Sequence, residues 1–188
     1  MTARGLVVAG THSGVGKTTV TAALAAACAA RGLTVQPYKA GPDYIDPGHL
    51  GAAAGREARN LDTWMLPRPV VAELCARAAA DVDVALVEGV MGLFDGPHGA
   101  SGSTADLAAA LGLPVVLVVD ARHQSQSLAA LVHGFATYRP DIALGGVIAK
   151  PRPDKGVYSC IFAGPGRAYL YVCGGDAVHR RKTLTTAP

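Results

Sequence analysis

The chain has 188 residues, half of them hydrophobic and 16% charged, with 23 glycines and 12 prolines. This is enough apolar material for the core of one domain and too little charge for a disordered chain, and Gly and Pro follow no collagen-like period. No apolar run reaches the roughly 18 residues of a membrane span, and residues 1–4 run straight into a strand-like segment with no signal peptide, so a soluble cytoplasmic protein is expected.

Charge is unevenly spread. Residues 1–149 hold ten Lys/Arg against twelve Asp/Glu, whereas residues 150–188 hold seven against two, and the whole chain carries +3. A basic tail of this kind marks either a nucleic-acid or membrane contact or a segment foreign to the fold before it. Cys28, Cys75, Cys160 and Cys173 stand far apart without metal-ligand spacing, so idle or buried thiols are expected, with no zinc site or disulfide framework.

In chain order, Leu6–Ala9 reads as a strand, followed by a glycine loop and a helix over Thr18–Ala30. Leu33–Tyr38 is a second strand and Gly41–Gly48 a Pro/Gly/Asp loop. A helix is expected over Val70–Ala80 and a strand over Val84–Val87. After the glycine-rich loop 89–102, Ser103-Thr104 opens a helix, with Asp106 near its positive end. Pro114–Val119 is a strand, Ser125–Tyr138 a helix and Gly146–Ala149 a last short strand. Trp64-Met65-Leu66 is expected in the core, and His123 and His133 are read as ordinary surface or packing residues. The strands are continuous apolar runs, which require helices on both faces. The expected fold is α/β with a mostly parallel central sheet flanked by helices.

Three segments carry chemistry. Gly10-Thr11-His12-Ser13-Gly14-Val15-Gly16-Lys17-Thr18-Thr19 stands between the first strand and first helix, where a phosphate loop belongs. Backbone N–H groups and the helix N-terminus favour phosphate oxygens; Lys17 supplies a charge and the Thr18 hydroxyl a Mg²⁺ ligand. Five residues separate Gly10 from Gly16, one more than in the common motif, so the loop is a variant. Next, Lys39-Ala40-Gly41-Pro42-Asp43-Tyr44-Ile45-Asp46-Pro47 follows the second strand; its composition fits either a solvated turn or a pair of aspartates that hold Mg²⁺ and orient an acceptor. Glu88 ends the strand before Gly89, Gly92, Asp95 and Gly96, where phosphate-loop proteins place a second metal contact. Asp120, at another strand end, fits a ligand contact or a helix cap.

Taken together, GTHSGVGKTT, KAGPDYIDP, GREARNLDTWML, ALVEGVMGLFDG, GSTADLA and PVVLVVDAR, in this order over residues 4–149, resemble the cobyrinic acid a,c-diamide synthase family, including its hydrogenobyrinic acid members. The resemblance implies a P-loop NTPase fold of the dethiobiotin synthetase-like type and a cobalamin-biosynthetic ligase. ATP would phosphorylate the a and c side-chain carboxylates of the corrin ring, and ammonia would displace the phosphate. It implies that Thr11, Ser13, Gly14, Val15, Gly16, Lys17, Thr18 and Thr19 bind ATP, and that Thr18, Asp43 and Glu88 contact Mg²⁺. Lys17, Lys39, Asp43, Asp46, Glu88 and Asp95 would serve catalysis, with loop 89–102 shielding the acyl phosphate from water.

The family carries a C-terminal glutaminase domain of roughly 200 residues, an ordinary domain size, whereas 39 positions follow Ala149 here. Lys150-Pro151-Arg152-Pro153 replaces an asparagine-containing adenine contact, and Tyr171–Gly175 only echoes the family's Cys-Gly-Gly nucleophile segment. The expected organisation is a synthetase domain over 1–149 and an irregular basic tail over 150–188, the product of a truncated, frame-shifted or fragmentary gene. It would use free ammonia or a separate glutaminase, or be inactive. The substrate partner is a corrinoid acid; neither membrane nor nucleic acid is expected, and a homodimer is allowed. Two alternatives stay open, a partition-type switch ATPase binding DNA or a protein, and a dethiobiotin synthetase-like ligase. His12 stands where the partition ATPases carry a second lysine, which weighs against the first.

Overall fold

Continuous apolar runs at residues 6–9, 84–87 and 115–119 leave the backbone no exposed face, and they pair side by side in the computed structural model. It describes residues 4–97, 102–124, 126–150, 158–164, 167–174 and 177–180, with residue 150 and the last three segments as backbone alone. The elements are β1 (Arg4–Gly10), α1 (Lys17–Ala29), β2 (Val35–Ala40), α2 (Asp46–Ala54), β3 (Arg59–Leu61), α3 (Arg68–Ala78) and β4 (Val84–Glu88). They continue with α4 (Thr104–Leu111), β5 (Val115–Asp120), α5 (Ser127–Thr137), β6 (Leu144–Lys150), β7 (Tyr158–Gly164), β8 (Arg167–Gly174) and β9 (Ala177–Arg180).

Six strands form one parallel sheet in the order β3-β2-β4-β1-β5-β6. Strand alternation divides the core. Val7, Ala9, Tyr38, Ala85, Val87, Leu117 and Val119 pack on one face with Val71 and Cys75 of α3, Leu107 and Ala108 of α4, and Phe135 of α5. On the other face, Val8, Val118, Leu86 and Val35 meet Val20, Leu24 and Ala25 of α1 and Ala53 and Ala54 of α2. The α/β architecture agrees with the sequence reading. Among the described residues no helix is long and apolar enough to cross a membrane.

Three local expectations are corrected. The loop after β2 is shorter than expected because α2 starts at Asp46: the Asp43 carboxylate accepts the N–H groups of Ile45 (2.9 Å) and Asp46 (3.0 Å), and Pro47 suits a first helical turn. Trp64 and Met65 are 62% and 68% exposed, not core. Asp62 Oδ1 accepts their N–H groups and ties 62–66 into a turn that turns these side chains outward. Finally, the segment expected to be irregular contains β7, β8 and β9 in an antiparallel sheet. Its runs YSCIFAG and RAYLYVCG are rich in aromatic and branched residues that suit strands.

The start of α4 is secured by a reciprocal cap. Ser103 Oγ accepts the Asp106 N–H, while Asp106 Oδ2 accepts the Ser103 N–H at 3.1 Å and its Oδ1 accepts from Arg139 at 2.8 Å. Burial pushes the Asp106 carboxyl up, but the donors from Ser103 and Arg139 outweigh it and hold the group at about 2. An unfolded aspartate titrates near 4. The stabilisation is therefore present above pH ~4 and is lost as pH falls toward ~2. Asp106→Asn is expected to lower unfolding free energy by about 1–2 kcal/mol near neutral pH. In urea melts the gap from the unaltered chain should close as pH falls from 5 to 2.

Candidate functional site

Parallel strands deliver their C-terminal ends to one edge of the sheet, so the loops after β1, β2 and β4 meet there. After β1 the chain turns through Gly14 (φ 76°) and Gly16 (φ 105°), backbone conformations that a side chain would strain. Val15, between them, is buried against Val8 and Val118 and anchors the loop to the sheet. A Cβ on Gly10 would fall 2.4 Å from Val15 Cγ1, so the loop closes only over a glycine. Thr11 is half-buried, and Ser13, Gly14 and Thr19 are exposed along the loop. His12 is exposed, with its ring Nδ1 2.6 Å from the Ser13 carbonyl.

Lys17 opens α1, and its ammonium donates to the carbonyls of Met91 (2.6 Å) and His12 (3.2 Å). Burial lowers its pKa, and the neighbouring Lys39 charge lowers it further. The carboxylates of Glu88, Asp46 and Asp95 act in the opposite sense without cancelling these effects, and anionic oxygens at the loop would favour the charged form further.

The centre of the site is Glu88, at the end of β4 and wholly buried. Its neighbours in the sheet register are Val8 on β1 and Lys39 on β2. Lys39 Nζ reaches Glu88 Oε1 at 2.9 Å, Asp46 Oδ2 at 2.5 Å and Asp43 Oδ2 at 3.7 Å. Burial alone would lower the Lys39 pKa; the hydrogen bonds to Asp46 and Glu88 outweigh it and hold the ammonium above its ordinary range. The Thr18 hydroxyl donates to Glu88 Oε1 at 2.6 Å and lies 3.4 Å from Asp46 Oδ2. Glu88 Oε2 is left buried with no hydrogen-bond partner among the described residues.

The structure therefore brings Lys17, Thr18, Lys39, Asp43, Asp46 and Glu88 together, with different tasks for the two aspartates. Burial pushes Asp43 up, but backbone donors from Asp46 and Ile45 outweigh it and hold the carboxyl low; Oδ1 is committed to that turn. Asp46 is the aspartate beside the Thr18 hydroxyl. Asp95 is exposed, with Oδ2 accepting the Gly92 N–H at 2.9 Å, and its charge acts on Lys17. Asp120 is forked by Arg122 at its own strand end.

An all-oxygen set of Glu88, Asp46 and Thr18 with one unanswered carboxylate oxygen suits a hard divalent cation such as Mg²⁺. Among the described residues no group of three or more His/Cys/Asp/Glu is arranged to hold a metal alone. A cation here would complete its shell with phosphate and water oxygens, as Mg²⁺ usually does.

Several supports were not visible in the sequence. Thr104 of α4 pins Val90 from both sides, accepting its N–H at 2.9 Å and donating to its carbonyl at 3.0 Å. Met91, the only non-glycine with positive φ among the described residues (49°), turns its carbonyl onto Lys17. Asn60 donates to the Asp43 carbonyl at 2.7 Å and holds the loop after β2. No short motif encodes these contacts; each joins segments far apart in the chain. Beside Asp43 a cleft of about 520 Å³ is walled by Pro42, Tyr44, Pro47, Met65 and Leu66.

The family model described as the CobQ/CobB/MinD/ParA nucleotide binding domain matches residues 6–157. Over 146 residues the chain is 54% identical to the cobyrinate a,c-diamide synthase of Syntrophotalea carbinolica, a match covering 77% of this chain and 32% of that protein. It is also 54% identical over 145 residues to the hydrogenobyrinate a,c-diamide synthase of Streptomyces coelicolor, with 76% and 30% covered. The chain thus spans about a third of the length of the curated relatives it matches. Among solved structures it is similar to the Aeropyrum pernix signal recognition particle 54 kDa protein in complex with GDP, at 22% identity and TM-score 0.54, covering 82% of this chain and 36% of that one. The cobyrinic acid a,c-diamide synthase of Mycobacterium smegmatis, solved with an ATP analog and magnesium, matches at 20% identity and TM-score 0.50, with 78% and 74% covered. These two likenesses establish the shared P-loop NTPase fold.

A Cβ on Gly92 would lie 2.5 Å from Asp95 Oδ2 and 3.0 Å from the Thr11 carbonyl. Gly92→Ala is expected to push Asp95 from its turn and lower stability by about 1–3 kcal/mol, measured as a fall in the denaturant midpoint.

Proposed function

Because the chain belongs to the CobQ/CobB/MinD/ParA nucleotide binding domain family, we propose that it binds ATP with Mg²⁺ on the Gly10–Thr19 loop and is the synthetase part of a cobyrinate or hydrogenobyrinate a,c-diamide synthase. The observation that carries this reading is the convergence of Lys17, Thr18, Lys39, Asp46 and Glu88 at the edge where the phosphate loop opens. The names of two relatives, each 54% identical, support the choice of acceptor.

Loop N–H groups and the Lys17 ammonium hold the triphosphate, with Lys17 exchanging the Met91 carbonyl for a phosphate oxygen. Glu88, Thr18 and Asp46 would hold a divalent cation, which would supply charge neutralisation to the phosphates. Asp43 has its backbone contacts already made and shapes the loop beside the apolar cleft. A side-chain carboxylate of the corrinoid attacks the terminal phosphorus; the β–γ bridging P–O bond breaks and ADP leaves. Lys39 offsets the negative charge of the entering carboxylate and of the acyl phosphate. Ammonia, from solution or a glutaminase domain, then adds through its lone pair to the acyl carbon. The C–O bond to phosphate breaks, a proton passes to solvent, and the amide remains. Positioning and charge balance carry such a reaction, with no covalent step on the protein. Loop 89–102 would shield the mixed anhydride from water; residues 98–101 of it lie outside the described residues.

His12 is exposed at the position of the partition ATPases' second lysine, which favours a ligase over a partition-type switch. The setting proposed is cobalamin biosynthesis in the cytoplasm, as a monomer or homodimer.

The test supplies the chain with Mg-ATP, ammonium chloride and each of the two corrinoid acids, and follows carboxylate-to-amide conversion by mass spectrometry. One or two amides per corrinoid are expected, and Lys17→Ala should lower the rate about a hundredfold or more. Absence of amide with both acids, together with absence of nucleotide uptake in calorimetry, overturns the reading.

A further inference from the structure

Glu88 carries two demands on one oxygen. Its Oε1 accepts both the Thr18 hydroxyl and the Lys39 ammonium, while Oε2, on a side chain with no exposure, has no hydrogen-bond partner among the described residues. The Lys39 side chain is itself 4% exposed and lies within 4 Å of three carboxylates, those of Asp43, Asp46 and Glu88, while the Lys17 charge acts on Glu88 and Asp46 from the phosphate loop. Only Glu88 is wholly buried, with Asp43 and Asp46 29% and 25% exposed, so the Glu88 carboxylate depends most on the Lys39 ammonium beside it. The register of β2 beside β4 holds the Lys39 and Glu88 backbones opposite each other, so the pair forms whenever the sheet does.

We propose that Lys39 is the built-in counter-ion of the Glu88–Asp46–Thr18 oxygen set, occupying the cation position and keeping free divalent metal out until one arrives with the nucleotide. This rests on the reading of the loop as a Mg-ATP site. A free dication approaching the set meets two ammonium groups, Lys39 and Lys17, and gains too little from the carboxylates to displace them. A dication already bound to triphosphate brings the anions that satisfy Lys17, and it can then take Glu88 and Asp46. The displaced Lys39 ammonium has a place to go. Asp43 Oδ2, 3.7 Å away, belongs to the wall of the apolar cleft, so the freed charge moves toward the side from which an acceptor carboxylate enters. Lys39 thus acts as a positioning residue that makes metal entry depend on nucleotide and presents its charge to the acceptor only afterwards.

The experiment titrates Mn²⁺ by electron paramagnetic resonance into the whole chain, into Lys39→Met and into Lys39→Met/Glu88→Gln, without nucleotide and with a non-hydrolysable ATP analogue. Melting temperatures are followed in parallel with Mg²⁺. Expected are weak uptake of free Mn²⁺ by the unaltered chain, a gain of about tenfold or more in Lys39→Met, and loss of that gain in the double variant. Metal alone should raise the melting temperature of Lys39→Met and leave that of the unaltered chain unmoved, whereas metal with the analogue should raise the latter. Should Lys39→Met fail to fold, this last comparison within the unaltered chain still decides. The proposal is overturned if that chain takes Mn²⁺ with the analogue yet Lys39→Met binds free Mn²⁺ no better, or if it binds free Mn²⁺ as tightly as in the presence of the analogue. Failure to take Mn²⁺ with the analogue at all instead removes the nucleotide-site reading underneath it.

Discussion

Glu88 ends a central strand with none of its side chain exposed, and the arrangement of the site follows from the need to answer that charge inside the protein. Its nearest sources of compensation are set by the sheet. Lys39 stands opposite on β2, and the phosphate loop follows β1 on the other side, bringing Thr18 to the same carboxylate oxygen. The order β2-β4-β1 is thus an electrostatic arrangement as much as a packing one. It puts a buried acid between two sources of positive charge, one on an adjacent strand and one at the start of a helix.

The loops that complete the site are tethered to rigid elements. Val15 anchors the phosphate loop to β1 and β5, Asn60 holds the loop after β2, and Thr104 of α4 grips Val90 just past Glu88. Such anchoring would matter for the proposed phosphoryl transfer, since reactions of that kind are sensitive to small misplacements of groups that make no bond to the reactants. The Met91 carbonyl is the exception. It is held by Lys17 across a strained backbone position, so the contact joins the loop after β4 to the same ammonium that would meet phosphate.

Long apolar strands and the Gly10–Thr19 motif were legible because each is a local pattern: a strand buried on both faces must be apolar throughout, and a loop around phosphate needs its glycines at fixed intervals. The start of α4 was legible for the same reason, since Ser103 and Asp106 cap it within one turn. Misreadings occurred where a short contact redirected a local pattern. Asp43 folds back on the next three residues and starts α2 inside a segment whose Pro and Gly content resembles a loop. Asp62 does the same before Trp64 and Met65 and turns out two side chains whose apolar character alone indicates the core.

From the sequence alone follow the α/β class, the phosphate loop, the acidic strand end at Glu88 and the set of residues that could gather there. The partners within that set belong to the tertiary structure: Asp46 beside Thr18, Asp43 in the turn, Asp95 on the Gly92 N–H, and Lys39 among the carboxylates. The physical reason is distance. Motif spacing limits which groups can reach a phosphate, but the partner of each charge is settled by strand register and by turns a few residues long, and an ångström there decides whether a carboxylate meets a hydroxyl, an ammonium or its own backbone.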